Sequence, residues 1–182
     1  MAVQGSGIAG GDIGSGEIRL NDDGFYTLLV GCTDMGTGCD TILTQMAADC
    51  LDCPMENISV RGVDTDQSPY DCGSYASSTT YVTGMAVVKA CAQLREKILA
   101  QGAKMLDVPA HTAEFHGKRV FVPATDKEVS LSAIGYASFE GHARCISACE
   151  SHSSPVSPPP MMVGMAEIDL DPETGKIQLV NY

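Results

Sequence analysis

The chain lacks tryptophan, and aromatic residues make up only 5% of it. Basic residues are also scarce, with 11 Lys and Arg against 23 Asp and Glu and a net charge of −12. Because a nucleic-acid-binding protein needs cations to neutralise phosphates, this balance argues against one. No apolar run is long enough to span a bilayer, and the start lacks the basic-then-apolar pattern of a signal peptide. We therefore expect no nucleic-acid or membrane partner and a cytoplasmic location.

The remaining composition is that of a globular protein. Its 182 residues, 44% of them hydrophobic, suffice for one core built on aliphatic side chains. The order of strand and helix patterns predicts an α+β fold with mixed sheets and packed helices. We expect residues 1–182 to be a partial domain, with a glycine-rich loop at 1–16 and an extended Ser/Pro-rich segment at 151–160. Since the chain stops inside a strand pattern, we also expect it to be a segment of something longer.

Hydrophobic periodicity locates the individual elements. A strong hairpin signal, Asn21-Asp-Asp-Gly24, joins the first two strands. The predicted strands are Glu17–Leu20, Phe25–Val30, Asn57–Val63, Met161–Leu170 and Lys176–Tyr182, with a hairpin over Thr112–Val122 that turns at His116-Gly117. The predicted helices are Thr41–Leu51 capped by Asp40 or Thr41, Tyr81 to about Lys104, and Ser130–Phe139 capped by Ser130.

Eight cysteines in a chain expected to be cytosolic are interpreted as thiols and not as disulfides. Most are expected to be buried as small apolar side chains, because free cysteine is among the most buried residue types. An alternative is a small metal- or redox-binding module. Its candidate ligands are the CxxC pair Cys50 and Cys53 with His142, Cys145, Cys149 and His152. The last four would share one face if that stretch were helical, but Ser151-His-Ser-Ser-Pro155 argues against a helix that continues to His152.

Two stretches of small residues carry the main functional signal. Gly31–Cys39 and Asp71–Thr80 each lead from an extended segment into an apolar helical pattern. The first N–H groups of a helix lack partners and its dipole is positive there, so such a position suits a phosphate or another anionic oxygen. The second stretch has more hydroxyls than one helix cap needs. Two such stretches predict a bound anionic ligand, such as a cofactor tail.

The order of these motifs resembles one enzyme family. Gly31–Thr41 is followed by Asp64-Thr-Asp66 and Gly73–Gly84, and then by His152–Pro160, Ala166–Asp171 and Thr174-Gly-Lys176. This series is similar to the molybdenum-binding subunit of the xanthine dehydrogenase and aldehyde oxidase family, over most of the chain. The resemblance implies a molybdopterin-binding type of domain.

The resemblance also implies which residues contact the cofactor. Gly36, Thr37 and Gly38 take the place of a Gly-Gln-Gly turn, and Thr37 is too short to make the contact to the metal's oxo group that the glutamine side chain makes. The second cofactor-contacting loop corresponds to Ala76, Ser77, Ser78, Thr79 and Thr80. The backbone N–H groups and hydroxyls of these residues would donate hydrogen bonds to pterin and phosphate oxygens. No metal ligand and no catalytic residue is assigned in this chain.

The activity implied by the resemblance is hydroxylation of a purine, another N-heterocycle or an aldehyde. The family's catalytic glutamate lies in a Gly-Glu segment beyond this part, so the chain alone is expected to be inactive. Its partners would be the remainder of the molybdenum subunit, with iron–sulfur clusters and in some members flavin on other domains or subunits. A structural alternative is that the isolated chain forms a homodimer through edges that would otherwise meet the missing part.

Overall fold

A computed structural model describes residues 2–140 and 145–182 of the chain. It contains an α+β arrangement of three helices and mixed sheets, as predicted. The helices are α1 (Cys39–Leu51), α2 (Thr79–Met105) and α3 (Leu131–Glu140). The strands are β1 (Ala2–Val3), β2 (Gly14–Leu20), β3 (Tyr26–Val30), β4 (Ile58–Gly62), β5 (Glu114–His116), β6 (Arg119–Phe121), β7 (Glu128–Ser130), β8 (Ser147–His152), β9 (Met161–Met162), β10 (Glu167–Leu170) and β11 (Ile177–Asn181).

The main sheet has the strand order β4-β3-β2-β8. β2 and β3 form the predicted antiparallel hairpin, in which the Asn21 N–H donates to the Phe25 carbonyl at 2.8 Å. β3 and β4 are parallel, and α1 forms the crossover between them. Apolar side chains between this sheet and helices α1 and α2 make the core, including Ile18, Leu28, Leu43, Leu94 and Ile98.

Helix α2 approaches the sheet closely because two residues of β2 have no side chain. A Cβ on Gly14 would lie 2.5 Å from the Thr83 hydroxyl oxygen, and one on Gly16 would lie 2.9 Å from a methyl group of Val87. Only glycine fits at these positions without moving the helix. The start of α2 is therefore held at a defined place beside β2.

A smaller sheet of β5, β6 and β7 packs at the far end of α2. Its first hairpin turns at His116-Gly117 as predicted, with Gly117 in the left-handed region at φ 58°. α3 follows directly, and the Ser130 hydroxyl accepts the Ala133 N–H at 3.2 Å, which confirms the predicted cap.

The described part of the Cys/His cluster, residues 145–152, is not helical. Cys149 and His152 lie in strand β8, which pairs with β2 so that Cys149 stands opposite Glu17 and His152 opposite Gly14. Pairing with an existing sheet edge satisfies the backbone of this segment, so the helical spacing was incidental. His142 lies outside the described residues.

Three boundaries also differ from the prediction. The expected loop at 1–16 contains β1 and the start of β2, where the two glycines admit α2. The expected strand at 161–170 is two separate strands, β9 pairing with β1 and β10 with β11. The Ser/Pro segment begins inside β8, because Ser151 pairs with Ser15.

Across residues 2–140 and 145–182, no helix is both long enough and apolar enough to cross a bilayer.

Candidate functional site

The two predicted loops lie side by side at one end of the main sheet. The first follows β3, and the second precedes α2. They touch at Gly31, where a Cβ would lie 2.4 Å from the Pro69 carbonyl oxygen and 2.7 Å from the Asp71 Cβ. The Ser74 hydroxyl also donates to the Thr33 carbonyl at 2.9 Å. The loops therefore form one continuous surface.

The first loop satisfies its own N–H groups through an acidic side chain. Asp34 Oδ1 accepts the N–H of Gly36 at 2.9 Å and that of Gly38 at 3.1 Å. These bonds hold the pKa of Asp34 below its usual value. Both glycines have positive φ, and Gly38 at φ 74° is the N-cap of α1. The predicted capping by Asp40 or Thr41 is therefore wrong, because the helix begins earlier and its end already holds a carboxylate.

The second loop is anchored by a different carboxylate. Asp71 Oδ1 accepts the Gly73 N–H at 2.8 Å, and Asp71 Oδ2 accepts the hydroxyl of Thr83 at 2.7 Å. Thr83 is buried in the second turn of α2. One side chain thus fixes the beginning of the loop to the helix at which the loop ends.

The middle of the second loop is strained. Ala76 and Ser77 both have left-handed backbones, with φ 52° and 56°, a conformation that costs free energy for any residue with a Cβ. Residues near the start of the chain hold this turn. The Gly7 N–H donates to the Ala76 carbonyl at 2.8 Å, and the Ser6 hydroxyl donates to the Ser77 carbonyl at 3.1 Å. Consecutive strained residues of this kind favour a functional role for the turn.

The N-terminus of α2 differs from that of α1 in its charge. Ser78 is the N-cap, but its buried hydroxyl donates to the Tyr75 carbonyl at 2.9 Å and caps no N–H group. The first turn of α2 contains no acidic residue. The first turn therefore adds no negative charge of its own to the positive end of this 27-residue helix.

A cavity of about 190 Å³ lies at this helix end. It is lined by Thr37, Cys39, Ser74, Ser77, Thr79 and Thr80. Four of the eight predicted site residues are thus brought together from the two loops, namely Thr37, Ser77, Thr79 and Thr80. The other four, Gly36, Gly38, Ala76 and Ser78, shape the loops but do not line the cavity.

Cys39 and Ser74 are the lining residues that the prediction missed. Cys39 is the first residue of α1, and burial, with Asp34 and Asp40 nearby, raises the pKa of its thiol. The thiol is therefore protonated at neutral pH and offers a weak donor. Both residues lay within the two quoted stretches, but only the fold shows which side chains point into the shared cavity.

The Cys/His residues of the alternative module lie apart in the described part of the chain. Cys50 and Cys53 pack against the core at the end of α1, and burial raises the pKa of Cys53 to about 11. Cys149 lies on β8, and the Nδ1 atom of His152 is 3.0 Å from Lys89 Nζ. Among residues 2–140 and 145–182, the ligand atoms of these side chains form no group of three within 4.8 Å. The geometry of the five described members, without His142, does not bring them together as a joint metal site.

The comparison with protein families decides the family. Residues 1–182 match the molybdopterin cofactor-binding domain family. This chain belongs to that family. The finding confirms the resemblance drawn from the motifs and the prediction that the cofactor is molybdopterin.

Sequence relatives agree with this assignment. The chain is 35% identical over 183 residues to "Probable hypoxanthine oxidase XdhD" of Escherichia coli K12, a match that covers 100% of the chain and 19% of the relative. It is 27% identical over 171 residues to the carbon monoxide dehydrogenase large chain of Hydrogenophaga pseudoflava, covering 91% of the chain and 21% of the relative. The chain thus spans about a fifth of the length of these relatives.

Solved structures share the fold. CO dehydrogenase from Oligotropha carboxidovorans superposes with a TM-score of 0.75 at 24% identity, over 92% of this chain and 21% of that chain. Quinoline 2-oxidoreductase from Pseudomonas putida 86 gives a TM-score of 0.73 at 18% identity, over 97% of this chain and 25% of that chain. The fold is therefore that of a segment found within much longer chains.

Proposed function

We propose that residues 1–182 are part of one molybdopterin-binding domain in an oxidoreductase that hydroxylates purines, other N-heterocycles or aldehydes. The observation that supports this function best is the shared cavity, in which side chains from two separate loops meet at the start of α2. The family assignment and the hypoxanthine oxidase relative support the same reading.

The two helix ends would contribute differently to cofactor binding. At α1 the Asp34 carboxylate already occupies the N–H groups of Gly36 and Gly38, so this end repels a second anion. At α2 the first turn is free of acidic residues and is surrounded by the hydroxyls of Ser77, Thr79 and Thr80. The anionic group of the cofactor would therefore bind at α2, and Thr37 would approach it from the first loop.

The donor set fits such a group. Three hydroxyls from Ser77, Thr79 and Thr80 and the free N–H groups of a helix start are the partners that a phosphate accepts from. A second depression of about 560 Å³ shares Ser77 and Thr80 with the cavity and is lined mainly by apolar groups, including Met46, Tyr81 and Met85. Its size and lining suit a flat ring system next to the anion.

When bound, molybdopterin would supply the redox-active metal at which the substrate is hydroxylated. The residues of this chain would bind and orient the cofactor and would leave proton transfer to other parts of the enzyme. We therefore propose that the isolated chain is inactive. We further propose that it works with the remainder of a molybdenum subunit and with iron–sulfur and flavin domains or subunits, in the cytoplasm.

The proposal is tested in a chimera in which this chain replaces the matching segment of full-length E. coli XdhD. Ser77→Ala and Thr79→Val together remove two donors, each worth about 1.5–3 kcal/mol when it binds a charged group. Alanine is used at position 77 because a β-branched residue at φ 56° would add strain. We expect molybdenum per chain to fall by at least about tenfold.

Ser59→Val is the matched control, since Ser59 is exposed on β4 in the main sheet and lies outside the cavity lining. It should leave the molybdenum content within the error of the elemental analysis. A chimera whose metal content is unchanged by Ser77→Ala with Thr79→Val would refute binding through these loops.

A further inference from the structure

The C-terminal hairpin has one apolar face and one polar face. In β10 and β11, Ile168 stands opposite Leu179, and Leu170 stands opposite Ile177, so these four side chains share one face. The other face is mostly polar: Asp169 stands opposite Gln178, and a register shift that leaves Val180 as an extra residue brings Glu167 opposite Asn181. Such alternation is typical of a strand pair that is buried on one side only.

The apolar face of this hairpin is uncovered. Ile168, Leu170, Ile177 and Leu179 are between 51% and 64% exposed, although each is a residue type that is usually buried. The turn that joins the strands is nonetheless held by side-chain hydrogen bonds. Asp171 Oδ2 accepts the Thr174 hydroxyl at 2.6 Å, and Asp171 Oδ1 accepts the Glu173 N–H at 2.9 Å. A two-stranded hairpin on its own is only marginally stable in water. Its apolar face therefore needs a partner.

We propose that this face docks against the remainder of the molybdenum-binding subunit, an inference that rests on the proposed function. The fold extends over 92% and 97% of this chain but over only 21% and 25% of two solved chains that share it. Three quarters or more of those chains is therefore available as a covering surface. The hairpin's carboxylates, Glu167 and Asp169, lie on the opposite face, so the contacting surface is uncharged and aliphatic.

A second copy of the chain fits this face less well. A stable interface between separate proteins uses roughly 20–30 residues a side. The apolar face of the hairpin offers four side chains, which is well short of that number. So small a contact is sufficient when the partner belongs to the same subunit, where the two surfaces are held at high effective concentration.

The test compares hydrogen exchange of the hairpin in two settings. In the isolated 182-residue chain, the backbone N–H groups of residues 168–170 and 177–180 should exchange quickly. In the XdhD chimera, the same groups should exchange at least tenfold more slowly. Ile168→Ser with Leu179→Ser should abolish that protection, whereas Asp169→Ser with Gln178→Ser, on the polar face of the same hairpin, should preserve it.

Three results would overturn the proposal. Equal exchange in the isolated chain and the chimera would show that the face remains uncovered. Slow exchange in an isolated chain that sediments as a dimer, abolished by Ile168→Ser with Leu179→Ser, would identify a second copy as the partner. Equal loss of protection in both pairs of variants would show that burial of the apolar face is not the cause. Molybdenum content is measured separately, so a protected hairpin in a metal-free chimera would support docking and refute the proposed function.

Discussion

The bond between Asp71 and Thr83 gives a prediction that needs only the isolated chain. The Thr83 hydroxyl is buried and donates to Asp71 Oδ2 at 2.7 Å. Thr83→Val keeps the shape of the side chain but leaves that carboxylate oxygen without its partner, and a hydrogen bond to a charged group is worth about 1.5–3 kcal/mol. For a chain of this length we expect Tm to fall by about 4–8 °C if the loss is about 2 kcal/mol.

A double-mutant cycle tests whether the bond itself is responsible. Asp71→Asn and Thr83→Val should each destabilise the chain, and their combination should cost less than the sum, with a coupling of about 1 kcal/mol or more in urea unfolding. Thr80→Val, at an exposed position one turn earlier on α2, should change stability by less than about 0.5 kcal/mol. Strictly additive effects of Asp71→Asn and Thr83→Val would refute the idea that this pair anchors the second loop.

The remaining predictions concern three other positions. Gly31→Ala should cost about 1–3 kcal/mol in urea unfolding, because its Cβ would lie 2.4 Å from the Pro69 carbonyl oxygen; wild-type stability would contradict the contact between the loops. The lowered pKa of Asp34 makes its stabilisation present at neutral pH and lost as pH falls below about 3.9, so Asp34→Asn should be less stable at pH 7 and lose less stability on acidification to pH 3. Equal losses in both proteins would contradict that role. With a pKa of about 11, the Cys53 thiol should react with a disulfide reagent about tenfold faster per pH unit between pH 8 and 10, whereas a rate that levels off near pH 9 would contradict the raised pKa.

The predictable part of the fold is the part that local sequence determines. The turn at Asn21–Gly24 predicted the β2–β3 hairpin, and hydrophobic periodicity predicted all three helices to within about two residues. Strand β8 was missed because it forms by pairing with β2, more than 100 residues earlier in the chain. The spacing of its cysteine and histidine residues also fits a helix, and nothing in the local sequence indicates that this segment pairs with β2.

The candidate site could also be predicted from the sequence only in part. Clusters of Gly, Ser and Thr at two helix starts identified both loops, because those residue types have special backbone or capping properties. The sequence could not show that Asp34 turns back onto the N–H groups of its own loop, since that depends on the φ values of Gly36 and Gly38. It also could not show that Cys39 and Ser74 line the cavity, which requires the two loops to be in contact.

The difference between the two helix ends yields the sharpest test of anion binding at α2. Thr80→Asp would place in the first turn of α2 the kind of charge that Asp34 supplies at α1. A carboxylate at a helix start stabilises the helix by about 0.3–1 kcal/mol, so the isolated chain should become slightly more stable than Thr80→Asn, its neutral counterpart. In the XdhD chimera the same carboxylate should repel the anionic group and lower the molybdenum content well below that of Thr80→Asn. Loss of metal together with a gain in stability cannot come from misfolding, whereas equal metal content in the two variants would show that the anionic group binds elsewhere.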